Sequence, residues 1–281
     1  MEVNGYKIEP YENLSGTKLK GADLTGANLH GANLTGANLT GVDLTGVDLS
    51  FARLRDANLK HAQLTGAKLN FANLNQANLT GAKLNFANLT KANLSKVNLR
   101  DADLTKADLI KADLIEADLT RTKLNFANLT RANLTGAKLN FADLTKANLN
   151  RANLTDAKLK FADLNFANLN YAHLTGAKLT SATLFDANLE DAKLRGADLS
   201  GAHLSDANLS DANLEDANLS GADLSFANLL WANLTGAKLN FADLTGAYLF
   251  ENLTGGGLFN ANLVGAILPD GTIYELHGRR V

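Results

Sequence analysis

The sequence predicts an all-β solenoid, one small structural unit stacked many times. Three observations carry this. Leucine stands at every fifth position from Leu14 to Leu249, 48 consecutive hits. Alanine lies two residues before the leucine in 42 of the 48 repeats, the exceptions being Glu12, Thr17, Val42, Val47, Val97 and Thr122. Glycine recurs two residues after it, as at Gly26, Gly36, Gly136 and Gly221.

A five-residue step advances 140° around an α-helix, so the leucines would be smeared around the whole circumference and a long amphipathic helix is excluded. On an extended segment Ala and Leu share one face because side chains alternate, and the residues on either side of Leu point outward. Those outward positions are polar almost throughout. An odd period cannot continue as a straight strand, since the next Ala and Leu would emerge on the wrong face. The chain therefore turns once per repeat, near the recurrent glycine. Short edges joined by corners close into a coil whose turns pair backbone to backbone. Periodicity leaves the number of sides open: GAKLNFANL at 66–74 returns fifteen residues on at 81–89, whereas Phe51 and Phe71 are twenty apart.

The consensus Ala-(Asn/Asp)-Leu-(Thr/Ser)-Gly, as in Ala22-Asp23-Leu24-Thr25-Gly26 and Ala32-Asn33-Leu34-Thr35-Gly36, resembles the pentapeptide-repeat family. The resemblance covers about 240 of 281 residues. Long, regular arrays ending in a segment like Leu268-Pro269-Asp270-Gly271-Thr272 are most similar to cyanobacterial members. The resemblance implies a right-handed quadrilateral β-helix with four pentapeptides per coil, hence about 12 coils and a length of roughly 58 Å at the usual strand spacing. Residues twenty apart then stack in columns.

Three segments follow from the phase. Residues 1–13, with Val3, Tyr6 and Ile8 apolar, are expected to form an N-terminal cap; 14–249 form the repeat; 250–281 form a shifted last coil and a C-terminal cap. The shift is a four-residue step from Leu249 to Leu253, read as one residue lost near Phe250-Glu251-Asn252, with a bulge turning Glu251 outward. Pro269-Asp270-Gly271 reads as a turn between Ile267-Leu268 and Ile273-Tyr274. Caps are expected because open ladder edges invite end-to-end association.

No cysteine is present, so no disulfide or thiol chemistry is available. The N-terminus lacks a basic and apolar leader, and no stretch approaches 18 apolar residues, so a cytoplasmic protein without membrane association is expected. The five histidines, His30, His61, His173, His203 and His277, never share a face and layer in twenty-residue columns. No catalytic residue, metal site or cofactor is expected. The asparagines Asn128, Asn148, Asn168, Asn188, Asn208 and Asn228 form one column whose stacked amides suit a hydrogen-bonded ladder.

Charge supplies the only candidate site. The net charge is −2, yet residues 60–181 hold 17 Lys and Arg against nine Asp and Glu, and residues 185–226 hold two against nine. One column two residues after Leu runs Gly31, Phe51, Phe71, Lys91, Lys111, Arg131, Arg151, Tyr171, Asp191, Asp211, Trp231 and Glu251. Its four cations, Lys91, Lys111, Arg131 and Arg151, have Lys106 and Lys146 across the same face, where Asp108 is the one acid. Such a face suits an acidic protein or another polyanion, and Phe71 and Tyr171 would add stacking for a single strand. A solvated surface is the simpler explanation, because two charges ~4.8 Å apart in water repel by only about 1 kcal/mol.

Some family members resemble duplex DNA and bind type II topoisomerases. At one charge per ~1.7 Å, a mimic of the expected length needs a net charge of roughly −30, whereas the net charge here is −2. The favoured reading is a non-catalytic scaffold with another protein as partner in preference to nucleic acid. A polyanion-binding module through the basic face comes next, and a topoisomerase-binding mimic last.

Overall fold

The computed structural model describes residues 1–249 and 258–275. Two compact units divide the chain, Met1–Asp143 and Leu144–Val281.

The first unit opens with strands β1 (Glu2–Val3) and β2 (Tyr6–Lys7), paired antiparallel with Glu2 opposite Lys7 and Val3 opposite Tyr6. Asn4 and Gly5 join them with φ of 53° and 78°, and a two-residue hairpin turn with both centres at positive φ favours this dipeptide. Ile8, which follows β2, is buried. From Asn13 onward every side of the coil contributes a single paired residue, and its partner lies twenty residues ahead in parallel, from Asn13 with Asn33 to Lys123 with Asp143. The second unit repeats this pattern from Asn148 with Asn168 to Asn228 with Tyr248.

Each repeat leucine from Leu14 to Leu244 is at most 2% exposed, and the alanines two before them are buried. Apart from Glu12 at the start of the array, the exceptions to alanine fit the interior. Val42, Val47 and Val97 are buried, while Thr17 and Thr122 donate their hydroxyls to the carbonyls of Leu14 and Leu99, both at 2.8 Å.

One repeat shows how the backbone donors are satisfied. Ala32 N–H closes a turn to Leu29 O (3.0 Å), Asn33 N–H reaches Glu12 O (2.8 Å), Leu34 N–H reaches Arg53 O (2.7 Å) and Gly36 N–H reaches Arg55 O (2.9 Å). The fifth donor, Thr35 N–H, has no backbone acceptor and binds Asn33 Oδ1 at 3.2 Å. A buried N–H left unpaired is costly, so the Asn or Asp before Leu completes the set through an Asx turn. The amide ladder is a second use of the same side chain. In the second unit Asn228 Nδ2 donates to Asn208 Oδ1 (3.0 Å) and Asn208 Nδ2 to Asn188 Oδ1 (3.2 Å).

The corners place their third residue at φ near +60°, as type II turns require. Glycine adopts this without strain, and at Gly31 it is doubly required, since a Cβ there would lie 2.6 Å from the Tyr11 ring. Many corners carry Lys, Arg, Phe or Asp instead.

After the undescribed stretch the partners lie twenty-four residues apart, Lys238 with Asn262 and Asp243 with Ile267. Relative to the twenty-residue coil the chain has gained four residues, not lost one; the two are indistinguishable in a five-residue phase. The orientation expected of Glu251 lies outside the described residues. Beyond Ile267 the chain reverses at Pro269-Asp270-Gly271, and Ile273 pairs antiparallel with Ile267. Leu268 N–H donates to Thr272 O (2.7 Å) and Tyr274 N–H to Ala266 O (2.9 Å).

Candidate interaction edges and family membership

The corners carry the exposed chemistry, because the ladder reserves the inward positions for Leu and Ala and engages the Asx side chains locally. All six candidate cations are exposed and occupy the positive-φ corner, with φ between 56° and 58°. Lys91, Lys106, Lys111 and Arg131 belong to the first unit, and Lys146 and Arg151 to the second.

In the first unit an aromatic stack leads to Lys91. Tyr11 meets His30 edge-on at 5.5 Å, His30 meets Phe51 at 5.4 Å, and Phe51 lies parallel to Phe71 at 4.8 Å. Lys91 Nζ sits 5.0 Å from the Phe71 centroid. With Phe51 on one side and Lys91 over the ring, Phe71 has little face left for a nucleobase. On the neighbouring corner Lys106 Nζ lies between Phe86 and Phe126, at 5.4 and 5.9 Å from their centroids. These cation–π contacts hold an ammonium group on the ring quadrupole. The sequence reading missed Phe86 and Phe126; the signal was available in their twenty-residue spacing around Lys106.

Other corners of these coils neutralise their own charges. Arg121 Nε and a terminal nitrogen donate to the two oxygens of Asp101 at 2.6 and 2.8 Å, and this bidentate pairing holds the Asp101 carboxyl below its ordinary range. Lys96 Nζ lies 3.7 Å from Glu116. Among the described residues neither an ion pair nor a ring contact engages the side chains of Lys111 and Arg131. Asp108, on the side between Lys106 and Lys111, accepts Ile110 N–H at 3.1 Å.

In the second unit Lys146 Nζ lies 5.5 Å from the Phe166 centroid, and the Arg151 guanidinium 5.4 Å from that of Tyr171. Tyr171 is tied to the next coil as well, since the charge of Asp191 and a hydrogen bond to it raise the phenol pKa. Asp186, Asp206 and Asp211 are exposed corner residues farther along this unit.

Comparison with known proteins decides the family. The pentapeptide-repeat model matches in eight copies, in overlapping segments from 13–46 to 212–249. The chain belongs to the pentapeptide-repeat family. This pentapeptide-repeat protein is similar to HetL of the cyanobacterium Nostoc sp. strain PCC 7120, which is involved in heterocyst differentiation regulation; identity is 33% over 94% of this chain and 92% of HetL, with a TM-score of 0.37. It is also similar to QnrB1, a plasmid-mediated fluoroquinolone resistance protein, at 19% identity over 66% of this chain and 90% of QnrB1, TM-score 0.40. A pentapeptide-repeat protein of the Arabidopsis thaliana thylakoid lumen matches at 30% identity over 44% of this chain and 81% of its own, TM-score 0.23. No curated protein matches.

Among the described residues no three His, Cys, Asp or Glu side chains come together as metal ligands, and no helix is long and apolar enough to cross a membrane.

Proposed function

We propose that this protein is a non-catalytic, cytoplasmic interaction scaffold whose basic corners dock an acidic protein surface. The fold that goes with this reading is a right-handed, four-sided β-helix of about twelve coils, with residues 1–13 and 250–281 covering the ladder ends. The docking residues are Lys91, Lys106, Lys111 and Arg131 in the first unit. Lys146 and Arg151 form a like patch in the second.

The observation that carries the proposal is the contrast between corners. Arg121 and Lys96 pair with acids of the adjacent coil, whereas Lys111 and Arg131 stand without an ion pair among the described residues. Lys91 and Lys106 each rest on rings of their own corner, Lys91 on Phe71 and Lys106 on Phe86 and Phe126. An acidic protein is favoured over single-stranded nucleic acid because Phe71 already has Phe51 and Lys91 against its ring.

Titration with fluorescent polyglutamate, a single-stranded oligonucleotide and heparin at low salt tests this. Polyglutamate should bind with an affinity that falls steeply as salt rises, and Lys111→Gly with Arg131→Gly should weaken it at least about fivefold. No binding, or binding unchanged in the double variant, removes the reading.

A further inference from the structure

We infer that the acidic surface recognised by the basic edge is carried by a second copy of this chain: Lys111 and Arg131 of one copy dock on Asp186, Asp206 and Asp211 of another. The inference rests on the basic-edge reading above and gives that edge its partner.

Charge complementarity is the first support. Lys111 and Arg131 are like-charged on successive coils of one corner, where the intervening side chains are mostly neutral. In the second unit Asp211 occupies the equivalent corner of its coil, and Asp186 and Asp206 the corner before it. Between those corners run Asn188 and Asn208, whose amides are engaged with each other and with their own turns. None of the three aspartates has an ion-pair partner among the described residues. Arg195 and Glu215 of the same unit do pair, at 3.4 Å. Lys111 and Arg131 in the first unit and Asp186, Asp206 and Asp211 in the second are thus exposed corner charges of opposite sign without an ion pair among the described residues.

Pitch is the second support. Every coil in both units advances by the same twenty-residue parallel pairing, so the charges recur at one ladder spacing, ~4.8 Å. The two cations at that spacing are commensurate with Asp186 and Asp206 at the same spacing, so two pairs form in one register. A globular acidic protein has no reason to repeat its carboxylates at the pitch of a β-ladder. A second copy does so by construction. The contacts are exposed, so each pair contributes little and the association depends on the pairs acting together.

Sedimentation velocity of the full chain at micromolar concentration tests the inference. The native chain should self-associate, with an association constant that falls at least about tenfold between roughly 50 mM and 500 mM salt. Lys111→Glu with Arg131→Glu should abolish association, as should Asp206→Lys with Asp211→Lys. An equimolar mixture of these two double variants should associate again, because each retains the patch the other has lost. Lys111→Gly with Arg131→Gly, which suits the corner backbone, should also be monomeric and guards against misfolding of a charge-reversed chain. A native chain that stays monomeric at low salt, association that survives either reversal, or a mixture that does not associate overturns the inference. If polyglutamate binds in a Lys111- and Arg131-dependent way while self-association is absent, the second copy is excluded and the basic edge stands. If neither occurs, both readings fall.

Discussion

The hydroxyl of Thr122 donates to the carbonyl of Leu99 at 2.8 Å, linking two coils inside the core at a position where most repeats carry alanine. The same carbonyl accepts Ala102 N–H at 3.0 Å, so it keeps a partner if the hydroxyl is removed. Thr122→Val preserves the volume, and Val97 shows that valine is accommodated at this inward position. Chemical denaturation should show a loss of about 1 kcal/mol. A loss above about 3 kcal/mol would mean that the hydroxyl organises more than one hydrogen bond.

Leu134 is fully buried, while Thr135 beside it faces outward and donates its hydroxyl to Asn133 Oδ1 at 2.7 Å. Leu134→Asp buries a charge among leucines and should cost several kcal/mol, whereas Thr135→Asp should cost about 1 kcal/mol or less. Equal melting shifts for the two variants would contradict the assignment of faces.

The corner backbone makes an unusual prediction for lysine. Lys111 and Arg131 hold φ of 56° and 58°, a region that costs non-glycine residues roughly 1–2 kcal/mol. Replacing either by Gly relieves this strain and adds flexibility to the unfolded chain, so stability should be unchanged or rise by up to about 1 kcal/mol. Lys111→Val should instead lower it by about 1 kcal/mol or more, since a β-branched residue fits this region poorly. Thermal melts that rank Gly below Val would refute the corner geometry.

Acid should weaken the Asx turns. At Asp103, Asp118 and Asp198 burial opposes ionisation, but hydrogen bonds from Thr105, Thr120 and Ser200 outweigh it and hold the carboxyl pKa below its ordinary value. A folded pKa below the unfolded value of ~3.9 means that the contribution is fully present above that pH and is lost as pH falls through the folded value. Changing all three to Asn, which forms the same turn at Asn33, should flatten the acid limb of a stability–pH curve. An unaltered acid limb would show that these turns do not set it.

DNA gyrase supercoiling is expected to be unaffected at submicromolar protein. A duplex mimic needs about one negative charge per 1.7 Å, and here the net charge is −2, with the acidic excess concentrated in residues 185–226, nine acids against two cations. Inhibition in that range would overturn the expectation, and Asp191, Asp211, Glu215 and Asp216 would be the first residues to neutralise.

The sequence by itself determined which residues face inward and that a corner falls in every repeat. An odd period allows Ala and Leu to share a buried face only if the chain turns each time, and the structure buries those residues from Leu14 to Leu244. It also placed the six cations on corners. Only the tertiary structure decided what those corners touch. Pairing twenty residues apart puts Asp101 against Arg121 and Lys106 between Phe86 and Phe126, while Lys111 and Arg131 are left without an ion pair among the described residues. The four residues gained before Leu258 were likewise hidden, because in a five-residue phase a gain of four and a loss of one look alike. Local periodicity carries the face of each side chain, but contacts between coils depend on how many residues close one turn, and backbone pairing in three dimensions sets that number.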